Sequence, residues 1–210
     1  MDDKGEGAQV GTKPKVLLCL SGSVAVIKVP QLVVMLAEFA EVKIVATAAS
    51  VHFLDRSVSY NLDAHAKFKA LDPPIEVLQD KDEFGAWQGV GDPVLHIELR
   101  NWADVALLAP LSANTMAKVA NGMCDNLVTC VARTWDFASK KPFVAAPAMN
   151  TCMWDHPMTS RHVSMMKELG IVVIPPATKV LACGDRGNGA LAPVESICEA
   201  VKEILSASQA

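Results

Sequence analysis

The segment LACGD (181–185) sets Cys183 beside Gly184, Asp185 and Arg186, a polar setting unlike the apolar runs around Cys19 and Cys130. Thiols react through the thiolate, which polar and cationic neighbours favour. Cys183 is therefore the cysteine with chemistry in prospect, a structural thiol being the alternative. GDPVLHIEL (91–99) supplies His96, with Glu98 two residues on and Trp102 further along. Histidine moves protons near neutral pH, although a lone histidine beside Val94, Leu95 and Ile97 also suits a structural role. In PAMNTCMW (147–154) Asn150 offers both a carbonyl acceptor and an amide donor, while Met149, Met153 and Trp154 suit core packing. His52, His65, His156 and His162 show no ligand spacing with cysteines or carboxylates, so no metal site is indicated.

Three other short segments suit an anion. SGSVA (21–25) follows an apolar run and leads into a helical pattern, so Gly22 permits close backbone approach while Ser23 and free amide groups can face a phosphate. A plain strand-to-helix turn with a serine cap would use the same residues. APLSANT (109–115) places Ser112 as a helix cap, with Asn114 and Thr115 adding hydrogen-bonding groups. TAAS (47–50) ends a third apolar run. There is no Gly-Lys-Ser/Thr ending and no three-glycine dinucleotide fingerprint, which favours a mononucleotide over NAD.

The elements that must carry these segments alternate between β-rich apolar runs and longer helical stretches, as in a parallel sheet covered on both faces. Strands are expected at 15–20, 42–47, 105–110, 143–148 and 171–176, and helices at about 26–39, 113–121, 125–135, 159–169 and 194–206. Residues 55–92, with Pro73, Pro74 and the acidic Asp80, Asp82 and Glu83, read as surface connections. A second irregular stretch, 179–193, carries three glycines after the fifth strand. The fold class is a three-layer α/β, Rossmann-like (flavodoxin-like) open parallel sheet with helices on both faces. Ligands of such sheets sit beyond the carboxyl ends of the strands, where the polar segments above fall.

At 210 residues and 51% hydrophobic content the chain suits one domain with a substantial core, expected over 14–210 behind a disordered tail at 1–13. The balance of 19 basic and 23 acidic residues gives a net charge of −4 without a basic stripe, which argues against nucleic acid. No apolar run is long enough to cross a bilayer. Six cysteines, mostly in apolar runs and without a signal peptide, read as free thiols in a reducing, cytoplasmic setting.

Taken together, GDPVLHIELRNWAD, PAMNTCMW and LACGDRGNGA, in order with SGSVA and APLSANT, resemble the homo-oligomeric flavin-containing cysteine decarboxylases over about 14–206. The resemblance implies FMN contacted by Gly22, Ser23 and Val24, by Thr47, Ala48 and Ala49, and by Ser112, Ala113, Asn114 and Thr115, with Ala148 near the ring. It implies His96 as catalytic base, Asn150 as holder of the substrate carboxylate and Cys183 as late proton donor, with Val180, Ala182 and Ala192 lining the substrate. Plant relatives carry a basic residue at the position of Val180. The implied substrate is a small molecule, 4′-phosphopantothenoylcysteine, converted to 4′-phosphopantetheine on the route to coenzyme A.

The implied chemistry explains the residues wanted. Direct loss of carbon dioxide would leave an unstabilised carbanion; oxidation to a thioaldehyde gives the electrons a path onto sulfur as an enethiolate. A homotrimer with FMN near the subunit boundary is implied too. Other readings are a regulatory relative that binds a protein phosphatase, a decarboxylase of peptidyl C-terminal cysteine, and a flavin prenyltransferase of similar fold. The first carries long acidic extensions that this chain lacks; LACGD argues against the other two.

Overall fold

The computed structural model describes residues 13–180 and 186–208, with the side chains of Lys179, Val180 and Arg186 left aside. Along the chain the main elements are β1 (Lys15–Leu20), α1 (Val29–Ala37), β2 (Glu41–Ala46), α2 (Ala48–Leu54), α3 (Leu62–Lys69), β3 (Val77–Leu78), α4 (Asp80–Ala86), α5 (Leu95–Trp102), β4 (Val105–Leu111), α6 (Ala113–Ala120) and α7 (Leu127–Thr134). They continue with β5 (Phe143–Pro147), α8 (Thr151–Trp154), α9 (Pro157–Glu168), β6 (Val172–Val173), β7 (Ala177–Val180), β8 (Arg186–Ala190) and α10 (Val194–Ser208).

Six strands pair in parallel in the order β3-β2-β1-β4-β5-β6. With the two-residue edge strand β3 set aside, this is the flavodoxin order, and the winding reverses between β1 and β4. Both sheet faces are buried at the centre, which is why β1, β4 and β5 read as apolar runs, whereas the first half of β2 carries the exposed Glu41 and Lys43. Val16, Leu18 and Leu20 of β1 face α1 and α10 through Leu32, Val33, Ile197 and Val201. Leu17 and Cys19 face α5, α6, α7 and α9 through Leu99, Met116, Val131 and Met166. Each fully buried leucine contributes roughly 1.5–3 kcal/mol as an upper bound.

The structure corrects several sequence expectations. The helix expected from Val26 begins as a 3-10 turn, Val24–Lys28, and becomes α1 only at Val29, because Pro30 has no amide hydrogen to extend a helix running through it. The strand expected at 171–176 is two residues long; Pro175 and Pro176 cannot donate to a ladder. Residues 55–92 are more than connections: α3 buries Ala64 and Phe68, and β3 joins the sheet edge against Ile44 and Val45. A helix, α5, occupies 95–102. Residues 179–193 include most of an antiparallel hairpin, β7–β8, whose tip at 181–185 lies outside the described residues.

Candidate active site

Four adjacent strand ends reach the same height. The β1–β2 register runs from Lys15↔Glu41 to Leu20↔Ala46, so Ser21 and Thr47 leave the sheet side by side. Ser21 and Ser112 follow β1 and β4, the two strands at the switch point. The fully buried Ser21 hydroxyl donates to Pro110 O (2.8 Å) and accepts from Ser112 N (2.7 Å), joining the two sheet halves at their carboxyl ends. Sequence reasoning left Ser21 without a role; its position as the first residue beyond an apolar run was the available signal.

The loop ends are then locked by caps. Thr47 accepts from Ser50 N at 3.3 Å and so starts α2. The buried Ser50 hydroxyl lies 2.7 Å from Thr47 O and 3.2 Å from Leu20 O. Ser112 accepts from Thr115 N at 3.3 Å and starts α6. Thr115 is 2% exposed and points inward, whereas Asn114 is exposed at the mouth. Ser23 bridges the other way: its hydroxyl donates to Ala148 O (3.0 Å) and accepts from Ala25 N (3.3 Å). Ala148 in turn donates its amide to Leu111 O at 2.9 Å.

Gly22 shows what this closeness requires. A Cβ there would stand 2.8 Å from the Ala49 Cβ, nearer than side-chain carbons approach. Ala48, Ala49 and Val24 are exposed at the same mouth. A ring of capped loop ends with small side chains, lined by hydroxyls and backbone amides rather than charges, suits the phosphate and flat ring of a mononucleotide.

Asn150 lies one strand further along, after β5. Its side-chain oxygen accepts from Cys152 N (2.8 Å), which caps the short helix α8. The hairpin is seated against this segment by glycines. Met149 N donates to Gly189 O at 2.8 Å; a Cβ on Gly189, where φ is +116°, would meet Met149 O at 2.6 Å. A Cβ on Gly187 would meet the Thr151 side chain at 2.5 Å. The backbone of Val180 belongs to β7. Ala192 follows β8 and buries its methyl in the core with Leu191 and Val194. Ala182 and Cys183 lie outside the described residues.

His96 sits in the first turn of α5. Its Nδ1 is bonded to Glu83 Oε1 of α4, and the two side chains are 20% and 16% exposed. Among the described residues no hydrogen bond ties His96 to Gly22, Thr47, Ser112 or Asn150. The Glu83 partnership was not read from the sequence: the residues are 13 apart and meet only because two helices pack.

The other thiols divide by environment. Burial pushes Cys19 up to about 12, and burial pushes Cys130 and Cys198 up to about 11, so all three stay protonated at neutral pH. Cys124 and Cys152 are exposed.

The Flavoprotein family model matches residues 6–206. The chain belongs to the flavoprotein family. This flavoprotein is 51% identical to the phosphopantothenoylcysteine decarboxylase of Oryza sativa subsp. japonica over 91% of its own length and 80% of the relative's. A solved structure of a cysteine-to-serine mutant of PPC decarboxylase, complexed with pantothenoylaminoethenethiol, is 48% identical with a TM-score of 0.82; the match covers 92% of the flavoprotein and 99% of that chain. The FMN binding protein AtHal3 is likewise 48% identical, with a TM-score of 0.80, over 93% of the flavoprotein and 98% of that chain.

Proposed function

We propose that this flavoprotein catalyses the FMN-dependent decarboxylation of 4′-phosphopantothenoylcysteine to 4′-phosphopantetheine in coenzyme A biosynthesis. The observation that carries the reading is the near full-length match to a PPC decarboxylase complexed with pantothenoylaminoethenethiol. FMN is held by the strand ends: Gly22, Ser23 and Val24; Thr47, Ala48 and Ala49; Ser112, Ala113, Asn114 and Thr115; and Ala148. When bound, it supplies two-electron oxidising power at the thiol-bearing carbon and takes no net part in the balance.

The chain's own groups control position and protons. His96 accepts the proton that the thiol loses as carbon–sulfur becomes a double bond. Asn150 orients the substrate carboxylate, so that when carbon dioxide leaves, the electron pair passes toward sulfur. Val180, Ala182 and Ala192 line the substrate, Ala192 through its backbone because its methyl is buried. Cys183 protonates the resulting enethiolate carbon before it is saturated.

The working unit is a homotrimer of single-domain chains, with the site near a subunit boundary. Support comes from the surface beside His96, where Phe84 (78% exposed), Trp87, Val90 and Val94 stand out in one stretch. No helix among the described residues is long and apolar enough to cross a membrane, and the free thiols suit the cytoplasm. Purified protein should be yellow, release FMN on acid denaturation, turn over 4′-phosphopantothenoylcysteine and scatter light as about three chains. Released FAD, or failure of the loaded protein to release carbon dioxide, would overturn the assignment; a stable monomer with full activity would overturn the trimer.

Gly22→Ala tests the cradle directly. The added methyl must displace Ala49, at a cost of roughly 1–3 kcal/mol, and the loop shift falls on the cofactor side. The protein should still fold, with a lower thermal midpoint, and purify with most of its FMN lost. Full FMN content would show that these two loops do not shape the flavin site.

A further inference from the structure

Glu83 and His96 meet at the junction of α4 and α5, and both are held in place from elsewhere. Asp82 of α4 accepts from Gln79 N at 2.7 Å, fixing the helix start. Asp80 accepts from Leu127 N at 2.6 Å, which fastens α4 to the N-terminus of α7. Between the two helices Asp92 accepts from both Gln88 N (2.7 Å) and Gly89 N (2.9 Å), so the connecting turn is braced as well. The Glu83 carboxylate is thus delivered to Nδ1 by a fixed frame, in a site from which water is largely removed.

An ionised carboxylate can only accept hydrogen bonds, so the ring nitrogen facing it must carry hydrogen. A neutral imidazole has one N–H, and placing it at Nδ1 leaves the lone pair on Nε2. We infer that Glu83 is a positioning residue: it holds His96 in the Nδ1–H tautomer, presents Nε2 as the proton acceptor, and stabilises the imidazolium that forms when the substrate proton arrives. The inference rests on the reading of His96 as base. It gives a role to a carboxylate that is placed on the histidine and largely shielded from solvent there. A carboxylate makes a stronger hydrogen bond to Nδ1–H than a neutral acceptor would, and its charge gains a further Coulombic attraction once the ring becomes positive.

The test compares Glu83→Ala and Glu83→Gln with His96→Asn, all as FMN-loaded protein. Glu83→Ala should lower kcat about 10- to 100-fold, by analogy with the loss seen when the partner that orients a metal-bound histidine is removed, with KM, FMN content and thermal midpoint near wild type. Glu83→Gln, which can still accept from Nδ1 but has no charge, should recover part of that loss. Nitrogen-15 NMR of the labelled histidine side chain should show Nδ1 protonated and Nε2 bare in the wild type, and mixed tautomers in Glu83→Ala. Adding Glu83→Ala to His96→Asn should lower kcat no further.

Wild-type kcat and tautomer in both Glu83 variants, with His96→Asn inactive, would overturn the positioning role and leave the base intact. Loss of FMN or of thermal stability in step with kcat in both variants would reduce Glu83 to a structural tie. An active His96→Asn would instead remove the base on which the inference stands.

Discussion

The His96→Asn protein is expected to fold, bind FMN and lose turnover about 100-fold or more, the usual contribution of a positioned base. Asparagine keeps a polar group in the first turn of α5 but has no nitrogen that can take up a proton. The fold should survive because Leu99, the buried residue of α5, is untouched and α4 stays tied to α7 through Asp80. The Glu83 carboxylate, 16% exposed, can still accept from the asparagine side-chain amide, so the thermal midpoint should stay near wild type. The block should fall on the first half of the reaction: substrate added without oxygen should leave the flavin colour unchanged and release no carbon dioxide. Ordinary turnover by His96→Asn would show this histidine to be a structural residue.

Cys183→Ser should cut the reaction at its other end. A hydroxyl is close to a thiol in size but far less acidic, so oxidation and decarboxylation should proceed while protonation of the enethiolate fails. In a single turnover the variant should release carbon dioxide and yield a product lighter than 4′-phosphopantetheine by two hydrogens, as read by mass spectrometry. The saturated product should fall about 100-fold or more. Saturated product at the wild-type rate would make Cys183 a structural thiol, and absence of carbon dioxide would move its role to an earlier step. The two variants give opposite readings of the same assay, one with no gas and one with gas but no saturated product.

The parallel strands could be read from the chain because both sheet faces are buried, and β1, β4 and β5 therefore appear as unbroken apolar runs. The loops that follow them could be read because serine, threonine and glycine at a strand end have few other uses, and Gly22, Thr47 and Ser112 do what their types suggest. The helix α5 is legible too: Leu95, Leu99 and Trp102 fall on one face at helical spacing. The Glu83–His96 pair was not within reach, since it depends on how α4 is held by α7, a contact between residues 47 apart. The glycine seating of the hairpin on Asn150 and Thr151 was hidden for a similar reason. Gly187 and Gly189 announce permissive backbone without naming the surface that needs it.

Ser21 has a further consequence for how the mouth opens. Its hydroxyl and amide both engage the end of β4, and the residues just before it lie in the middle of the sheet, paired on both sides. Local openings of proteins begin where few buried contacts must be broken, and central strands open last. The floor of the mouth therefore belongs to the most cooperative unit of the molecule. Traffic into and out of the site runs over a base that stays closed until the whole sheet gives way, and any yielding on the timescale of turnover is left to the segments around it.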